Sequence, residues 1–299
     1  MAADLILALG RANLAEAVAI VAVLILRRPV RRLAGAGVAY GLWLAPVLAA
    51  LCSLFPAPAE VALMRWADPF GMAAVVSSVN APLAAVWLAG VAASLTLLAA
   101  AQARYTRRIA RGEAGPALVG VLSPRIVVPR DFGDRFDEGE RKMIRAHEQA
   151  HLERQDARAN AVMALLASVN WFNPLVHLAV RYAREDQELA CDATVIARYP
   201  LHRRRYAQAL LHSQLSAAAP PLGCHWPAPA PHPLEERIGM MRTAGPSLIR
   251  QAAGLGAVAA FALTAGLTAW AAQPPTAKQP PFVYHSAHPV TYVDMAPAG

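Results

Sequence analysis

Long apolar runs constrain the fold of this chain more than any other feature of its sequence. About 20 mostly apolar residues are enough to cross a lipid bilayer as one helix. Four runs reach that length, and the last three contain no charged residue: about 5–26, 33–55, 82–103 and 251–272. The sequence therefore predicts a mainly α-helical, polytopic membrane protein with four transmembrane helices.

Basic residues in the loops predict how these helices are oriented. Four arginines lie within residues 27–32, between the first two spans, and four more lie within 104–111, after the third. The intervening loop, 56–81, contains Arg65 as its only basic residue. Because cytoplasmic loops carry an excess of Lys and Arg, we expect an inner-membrane protein with both termini outside and the polar block 104–250 in the cytoplasm.

The composition agrees with this class and argues against others. Hydrophobic residues make up 56% of the chain and charged residues 16%, whereas a typical soluble domain is about 25% charged. The formal net charge is +8, but the basic clusters flank apolar spans, as topology signals do. We therefore expect contact with the lipid bilayer and no direct binding of nucleic acid.

Residues 104–250 are predicted to form a cytoplasmic α+β domain. Stretches rich in β-branched residues favour two short strands, the second an edge strand at Arg125–Val128 of the kind that receives an extended peptide. The apolar segment 160–180 is interrupted by turn residues, which predicts a helical hairpin that either dips into the membrane interface or fills the domain core. The Pro-rich stretch 218–233 is typical of a flexible linker.

One motif in this domain indicates metal chemistry. A helix predicted to begin with a capping box at Asp137 contains His147, Glu148 and His151 in the pattern His-Glu-x-x-His. Residues four apart lie on one face of a helix, so both imidazoles can reach one Zn²⁺ ion while the glutamate approaches its water. We predict the two histidines as zinc ligands and Glu148 as the catalytic general base.

A third ligand is needed, because catalytic zinc sites use three protein ligands and keep one position open. Glu188 and Asp192 lie four residues apart downstream. We predict Glu188 as the third ligand and Asp192 as the carboxylate that holds a histidine N–H or the helix. Glu185, one turn earlier, is the competing ligand. Cys191 adjoins the pair but points off its face, and it is predicted to be a packing residue.

Together these features resemble a known family. The early spans, the strand segment Gly120–Pro129, the motif at 147–151, the Trp-Phe-Asn-Pro sequence at 171–174 and the segment 184–192 are similar to the BlaR/MecR-type integral membrane zinc metallopeptidases. The resemblance covers about residues 5–272. It implies a gluzincin-like site with zinc on the two histidines and Glu188, self-cleavage before the last span, and a substrate such as a cytoplasmic winged-helix repressor.

The chain also departs from the family pattern. The β-lactam receptors of that family carry a large extracytoplasmic penicillin-binding domain after the last span. Here the expectation is a short extracytoplasmic Pro-rich tail, 273–299, without a Ser-x-x-Lys motif. A covalent β-lactam sensor is therefore not expected in this chain.

Three kinds of function stay open on the sequence. The first is a regulatory zinc metalloendopeptidase that cleaves itself, a repressor or both on the cytoplasmic side. The second is a membrane-protein quality-control protease of the HtpX type, and the third is a non-enzymatic membrane signalling scaffold. The complete set of His147, Glu148, His151 and Glu188 favours an enzyme, because an inactive relative is expected to have lost at least one of them.

Overall fold

The structure is a computed structural model that describes residues 2–57, 72–214, 233–241 and 245–273. Most of the predicted outer loop and nearly all of the linker 218–233 and of the tail 273–299 lie outside the described residues. The helices and strands, in chain order, are α1 Ala2–Ala34, α2 Ala36–Gly41, α3 Leu44–Cys52, α4 Met72–Arg111, β1 Ala117–Val119, β2 Arg125–Val127, α5 Phe132–Arg135, α6 Glu138–Glu153, α7 Asp156–Val169, α8 Pro174–Arg198, α9 Arg203–Gln214, α10 Pro233–Met241 and α11 Leu248–Ala271.

Three helices of the described chain are long and apolar enough to cross a membrane. They comprise Leu5–Ala34 in α1, Ala81–Arg111 in α4, and Leu248–Ala271, which is α11. They correspond to the first, third and fourth predicted spans. The predicted loop 27–32, however, is helical, since α1 continues through it to Ala34.

The second predicted span, 33–55, has a different structure. It is divided into α2 and α3, which together cover Ala36–Cys52, or about 25 Å of helix against a hydrocarbon core of about 30 Å. Gly35, with φ of 99°, separates α1 from α2, in a backbone conformation that favours glycine. A tight turn at Leu42–Trp43 then separates α2 from α3 and brings the Trp43 indole within 2.9 Å of Asp186.

Small residues let the apolar helices pack closely. A Cβ atom on Gly254 of α11 would lie 2.4 Å from the Cβ of Ala34, and one on Gly266 would lie 3.1 Å from the sulfur of Cys52. Such close approach at glycine is typical of helix packing in membranes. The apolar side chains buried between α1, α2, α3 and α11 are Val23, Ala34, Val38, Leu42, Ala45, Val258 and Ala262.

The polar domain is built around α6, with α8 and α9 packed against it. The capping box predicted at Asp137 is present: the Asp137 side chain accepts the Glu140 N–H at 2.8 Å, and the Glu140 carboxylate accepts the Asp137 N–H at 3.1 Å. Strands β1 and β2 form an antiparallel pair in which Leu118 faces Ile126. Within the described residues the domain has no strands other than these two, so its fold is mainly helical.

The predicted hairpin at 160–180 corresponds to α7, a turn at 170–173, and the first half of α8. Asn173 caps α8 by accepting the Leu175 N–H at 2.9 Å, and Pro174 occupies the first turn, where its missing N–H costs nothing. The hairpin packs against α1 and α4.

A buried ion cluster joins the apolar helices to α8. Asp186 of α8 is fully buried and accepts four hydrogen bonds. Arg27 donates two, at 2.9 and 3.0 Å, Arg31 donates one at 3.1 Å, and the Trp43 indole donates the fourth at 2.9 Å. Arg31 also pairs with Glu236 of α10. Two of the four arginines at 27–32, Arg27 and Arg31, therefore pair with acidic side chains of this chain.

We predict that Asp186→Ala destabilises the protein far more than loss of an exposed ion pair. Removing this carboxylate takes away the fully buried anion that both guanidinium groups share and leaves them only the more exposed Glu185 and Glu236; loss of one partner of a buried ion pair typically costs about 3–5 kcal/mol. Glu153→Ala is the matched control, because its pair with Arg198 at 2.7 Å is about 40% exposed and exposed pairs contribute at most about 1 kcal/mol. Unfolding of the detergent-solubilised variants measures both effects, and equal losses of stability would contradict the prediction.

Candidate metal centre

Helix α6 places two imidazoles side by side. His147 and His151 are one turn apart, and their Nε2 atoms lie 3.0 Å from each other. His151 is buried and His147 is partly buried. Because the two nitrogens face the same point rather than opposite directions, they can act as a pair of ligands for one ion.

Glu188 of α8 completes a group of three ligand atoms. Its Oε2 lies 3.3 Å from Nε2 of His147, and its Oε1 lies 3.5 Å from Nε2 of His151. Tetrahedral zinc with bonds of 2.0–2.2 Å holds its ligand atoms about 3.3–3.6 Å apart. The separations of 3.0 to 3.5 Å therefore fit a zinc ion with two histidines and one carboxylate.

The far nitrogen of His147 is held by Tyr206 of α9. The Tyr206 oxygen lies 2.8 Å from Nδ1 of His147, and its hydroxyl donates to Asp192 of α8. A hydroxyl has one proton, and this one is directed to the aspartate. His147 must then donate its Nδ1–H to the tyrosine oxygen, which leaves the Nε2 lone pair directed at the metal position.

The far nitrogen of His151 is held in the same way by Asp156, at the start of α7. Its Oδ2 lies 2.7 Å from Nδ1 of His151, and the carboxylate is fully buried. An ionised carboxylate only accepts, so His151 donates through Nδ1, and Nε2 is the nitrogen that can offer a lone pair to a metal ion. A carboxylate behind a histidine is the usual way to orient a zinc ligand.

Arg237 of α10 holds both acidic residues of α8. Its guanidinium donates to the two oxygens of Asp192 at 2.7 and 2.8 Å, and its Nη1 lies 3.1 Å from Glu188 Oε2. Burial by itself would raise the pKa of Glu188, but the charges of Arg237 and His151 hold it well below its usual range. The third candidate ligand is therefore a carboxylate, as metal binding requires.

The charge on His151 is affected by the same neighbours. Burial disfavours the imidazolium, but the charge of Glu188 and the hydrogen bond to Asp156 outweigh burial and raise the pKa of His151 well above its ordinary value. A metal ion that binds this ring must displace a proton from it. Glu148 lies next to His147 on the same helix and is partly buried.

A second group of possible ligand atoms shares His151. Cys191 Sγ lies 3.2 Å from Nδ1 of His151 and 3.3 Å from Asp156 Oδ2. Burial raises the pKa of Cys191 to about 12, so it is a neutral thiol here. Since the Nδ1–H of His151 is already donated to Asp156, the group of His147, His151 and Glu188 around Nε2 is the better candidate for a metal site. Cys191 is buried, as the sequence predicts, but it also contacts a candidate ligand.

Three further polar residues of α8, among them the competing ligand Glu185, contact groups other than the two histidines. Glu185 lies 3.1 Å from Arg27 of α1, and the Tyr182 ring lies under the same guanidinium, 4.4 Å away. His177 hydrogen-bonds the carbonyl of Trp171 at 2.9 Å, at the hairpin turn. Glu185 therefore contacts α1 rather than the candidate metal position.

A wide depression of about 1580 Å³ lies on the other side of α6. Arg141, Arg145 and Gln149 of that helix line it, together with Ile126 and Val128 of the β2 segment. Residue 145 is two positions before His147, which places it about 200° away around the helix. The depression is therefore separate from the candidate metal centre, and the predicted edge strand borders it.

Three residues of the centre were missed by sequence reasoning. Asp156 follows His151 by five residues, and an acidic residue at that spacing after the motif was an available signal. Tyr206 and Arg237 carry no comparable signal, because they lie 14 and 45 residues beyond Asp192. Only the packing of α9 and α10 brings them to the centre.

Comparison with known proteins gives partial but consistent matches. The family model described as BlaR1 peptidase M56 matches residues 7–81 and 108–241. The chain is 37% identical over 81 residues to "Regulatory protein BlaR1" of Bacillus licheniformis, which covers 27% of this chain and 13% of that protein. It is 26% identical over 97 residues to "Methicillin resistance mecR1 protein" of Staphylococcus aureus, covering 32% of this chain and 17% of that protein. No solved structure matches.

We predict that Tyr206→Phe weakens zinc binding while the fold is retained. The variant removes the oxygen that accepts the Nδ1–H of His147, and loss of such a partner typically lowers metal affinity by about 10–100-fold. Tyr199→Phe, a change of the same size on a tyrosine near a different face of α6, is the control. Competition with a zinc chelator measures the affinity, and equal affinities for the two variants would contradict the proposed role.

Proposed function

Because this chain belongs to the BlaR1 peptidase M56 family, we propose that it is a membrane-bound zinc metalloendopeptidase with a regulatory role. The proposal rests on one observation above all. Nε2 of His147, Nε2 of His151 and the Glu188 carboxylate converge at 3.0 to 3.5 Å, and the opposite nitrogen of each ring is engaged by Tyr206 or Asp156. Two histidines that share a helix face by chance would not be expected to have both Nδ1 atoms held in this way.

Each residue has a distinct part in the proposed hydrolysis. Zinc, when bound, supplies a Lewis acid that polarises the scissile carbonyl and acidifies a water molecule. Glu148 accepts the proton of the attacking water and delivers it to the leaving amine. The two histidines and Glu188 hold the metal. Asp192 and Arg237 keep His147 and Glu188 in place through their buried hydrogen bonds.

The proposed site of action is the cytoplasmic face of the inner membrane. The arginine-rich segments 27–32 and 104–111, which form the C-terminal ends of α1 and α4, support this side, because Lys and Arg are enriched near the cytoplasmic ends of spanning helices. The centre lies close to the first of these segments, because Asp186, two residues before Glu188, binds Arg27 and Arg31. The proposed substrates are a cytoplasmic winged-helix repressor and this chain itself, in line with the regulatory and resistance names of the two relatives.

The alternatives predict different substrates. A quality-control protease would cleave many misfolded membrane proteins, whereas a regulatory protease would cleave a dedicated partner. A scaffold would bind that partner without cleaving it. The intact candidate ligand set and the presence of Glu148 favour the enzyme.

We predict that Glu148→Gln abolishes peptide cleavage but leaves zinc binding intact. The amide cannot accept the proton of water, and loss of a general base typically costs about 10²–10⁴ in rate. The candidate ligands are unchanged, so the zinc content per chain is expected to match that of the wild type. Elemental analysis and mass spectrometry of cleavage products, on protein purified in detergent and incubated alone or with a co-expressed repressor, measure both quantities.

Glu153→Gln, five residues further along α6 and exposed, is the matched control. It is expected to retain both zinc and cleavage. Absence of zinc from the wild type would overturn the metallopeptidase proposal. Cleavage by Glu148→Gln at the wild-type rate would remove Glu148 from its role, and indiscriminate cleavage of denatured membrane proteins would favour the quality-control alternative.

A further inference from the structure

The α7–α8 hairpin has the composition of a membrane segment but not the length of a span. The 22 residues between Arg158 and Arg181 contain no Lys, Arg, Asp or Glu. Helix α7 has 14 residues, or about 21 Å, which is too short to cross a hydrocarbon core of about 30 Å. The turn at 170–173 then reverses the chain, so this segment can enter a bilayer only by returning to the same side.

Helix α8 runs beside α1 in matching register. At the turn, Asn173 donates to Asn13 at 3.1 Å. Thirteen residues later, Asp186 binds Arg27, which is fourteen residues after Asn13. Both intervals correspond to about 20 Å of helix. Since α1 is one of the helices able to span the membrane, the first half of α8 lies at the same depths as α1.

Apolar packing fills the interval between these two polar contacts. Ile20 of α1 is buried against Val176 and Ala179 of α8. These side chains lie between the Asn13–Asn173 contact and the Arg27–Asp186 contact in both helices. The two helices are therefore in contact within the interval as well as at its ends.

The turn is also fixed to α4, a second helix able to span the membrane. The Trp87 indole donates to the carbonyl of Val169 at 2.9 Å, and the Trp171 indole donates to the carbonyl of Trp87 at 3.3 Å. A Cβ on Gly90 would lie 2.1 Å from the Trp171 ring, so only glycine permits this approach. The tip of the hairpin is thus held between α1 and α4.

The polar side chains of the turn are paired with protein groups. Asn170 donates to the Glu16 carboxylate at 3.0 Å and accepts from Asn13 at 2.8 Å. These partners lie on α1, inside the segment Leu5–Ala34. In hydrocarbon, polar groups must find partners within the protein, because water is absent there. The Asn-rich turn satisfies that condition at the depth where it lies.

The outer surface of the hairpin is apolar and open. Val162, Leu165 and Phe172 are 47%, 55% and 52% exposed. The lipid-facing side of the neighbouring α4 has the same character, with Val86 and Leu88 more than half exposed. Lipid hydrocarbon is the occupant that suits both surfaces, since an exposed apolar surface of this kind is unfavourable in water.

From these contacts we propose that the α7–α8 hairpin is a re-entrant membrane element. It enters the bilayer from the side of the metal centre, reaches about 20 Å along α1 and α4, and returns. This proposal requires that α1 and α4 cross the membrane, and it does not depend on peptidase activity. Glu188 lies two residues beyond Asp186, so the candidate centre would lie at the membrane surface. A peptide bond would then have to reach that surface to be cleaved.

Spin labelling in proteoliposomes tests the proposal on the full chain. The background carries Cys52→Ala and Cys224→Ser, and Cys191 is retained because it is fully buried. A nitroxide is attached at Phe172→Cys or at Val162→Cys in vesicles of phosphatidylcholine and phosphatidylglycerol. Leu122→Cys is the control, because Leu122 is an apolar residue 93% exposed at the turn between the two strands.

Collision rates with oxygen, which partitions into lipid, and with a water-soluble nickel chelate give the result. The expected outcome is that oxygen collisions dominate at 162 and 172 and nickel collisions dominate at 122. Nickel accessibility at 162 and 172 equal to that at 122 would overturn the proposal. If the labelled variants fail to fold, a lipid-soluble carbene reagent on the unmodified chain replaces them. Adducts within 159–180 are then expected, and adducts confined to the three long helices would overturn the proposal.

Discussion

The ion cluster around Asp186 is the interaction on which the rest of the structure depends. Asp186 is fully buried, and its carboxylate accepts four hydrogen bonds from side chains of α1 and of the α2–α3 turn. Glu188 is two positions further along the same helix and therefore faces about 200° away, toward α6. Helix α8 thus binds the apolar helices with one face and the candidate metal centre with the other. Movement of α1 against the polar domain cannot occur without disturbing one of these two sets of contacts.

The candidate centre is organised from behind its ligands. Tyr206 and Asp156 each engage the nitrogen that faces away from the metal position, which directs both lone pairs to one point. Arg237 then contacts Glu188 and Asp192 together, so one buried positive charge stabilises both carboxylates. Five helices, α6 to α10, contribute to this arrangement. Their convergence explains why the proposed site depends on the packing of five helices and not on the His-Glu-x-x-His helix alone.

Local patterns were predictable because their physics is local. The capping box at Asp137, the helix that follows it and the hairpin turn at 170–173 each depend on residues a few positions apart, and each appears in the structure. Three of the four predicted spans correspond to long apolar helices. The segment 33–55 does not, because hydropathy reports composition but not the positive φ of Gly35 or the turn that directs Trp43 to Asp186.

The sequence by itself determined that the chain is a helical membrane protein and that His147 and His151 share a helix face, since apolar length and helical spacing can be read from neighbouring residues. Only the tertiary structure decided which acidic residue of α8 meets the histidines. Glu185 and Glu188 are both glutamates and lie within one turn of each other in the sequence. In the structure Glu185 pairs with Arg27, whereas Glu188 contacts the two histidines and Arg237. The same holds for Tyr206, Arg237 and the hairpin beside α1, because contacts between residues 45 to 160 positions apart depend on how the helices pack.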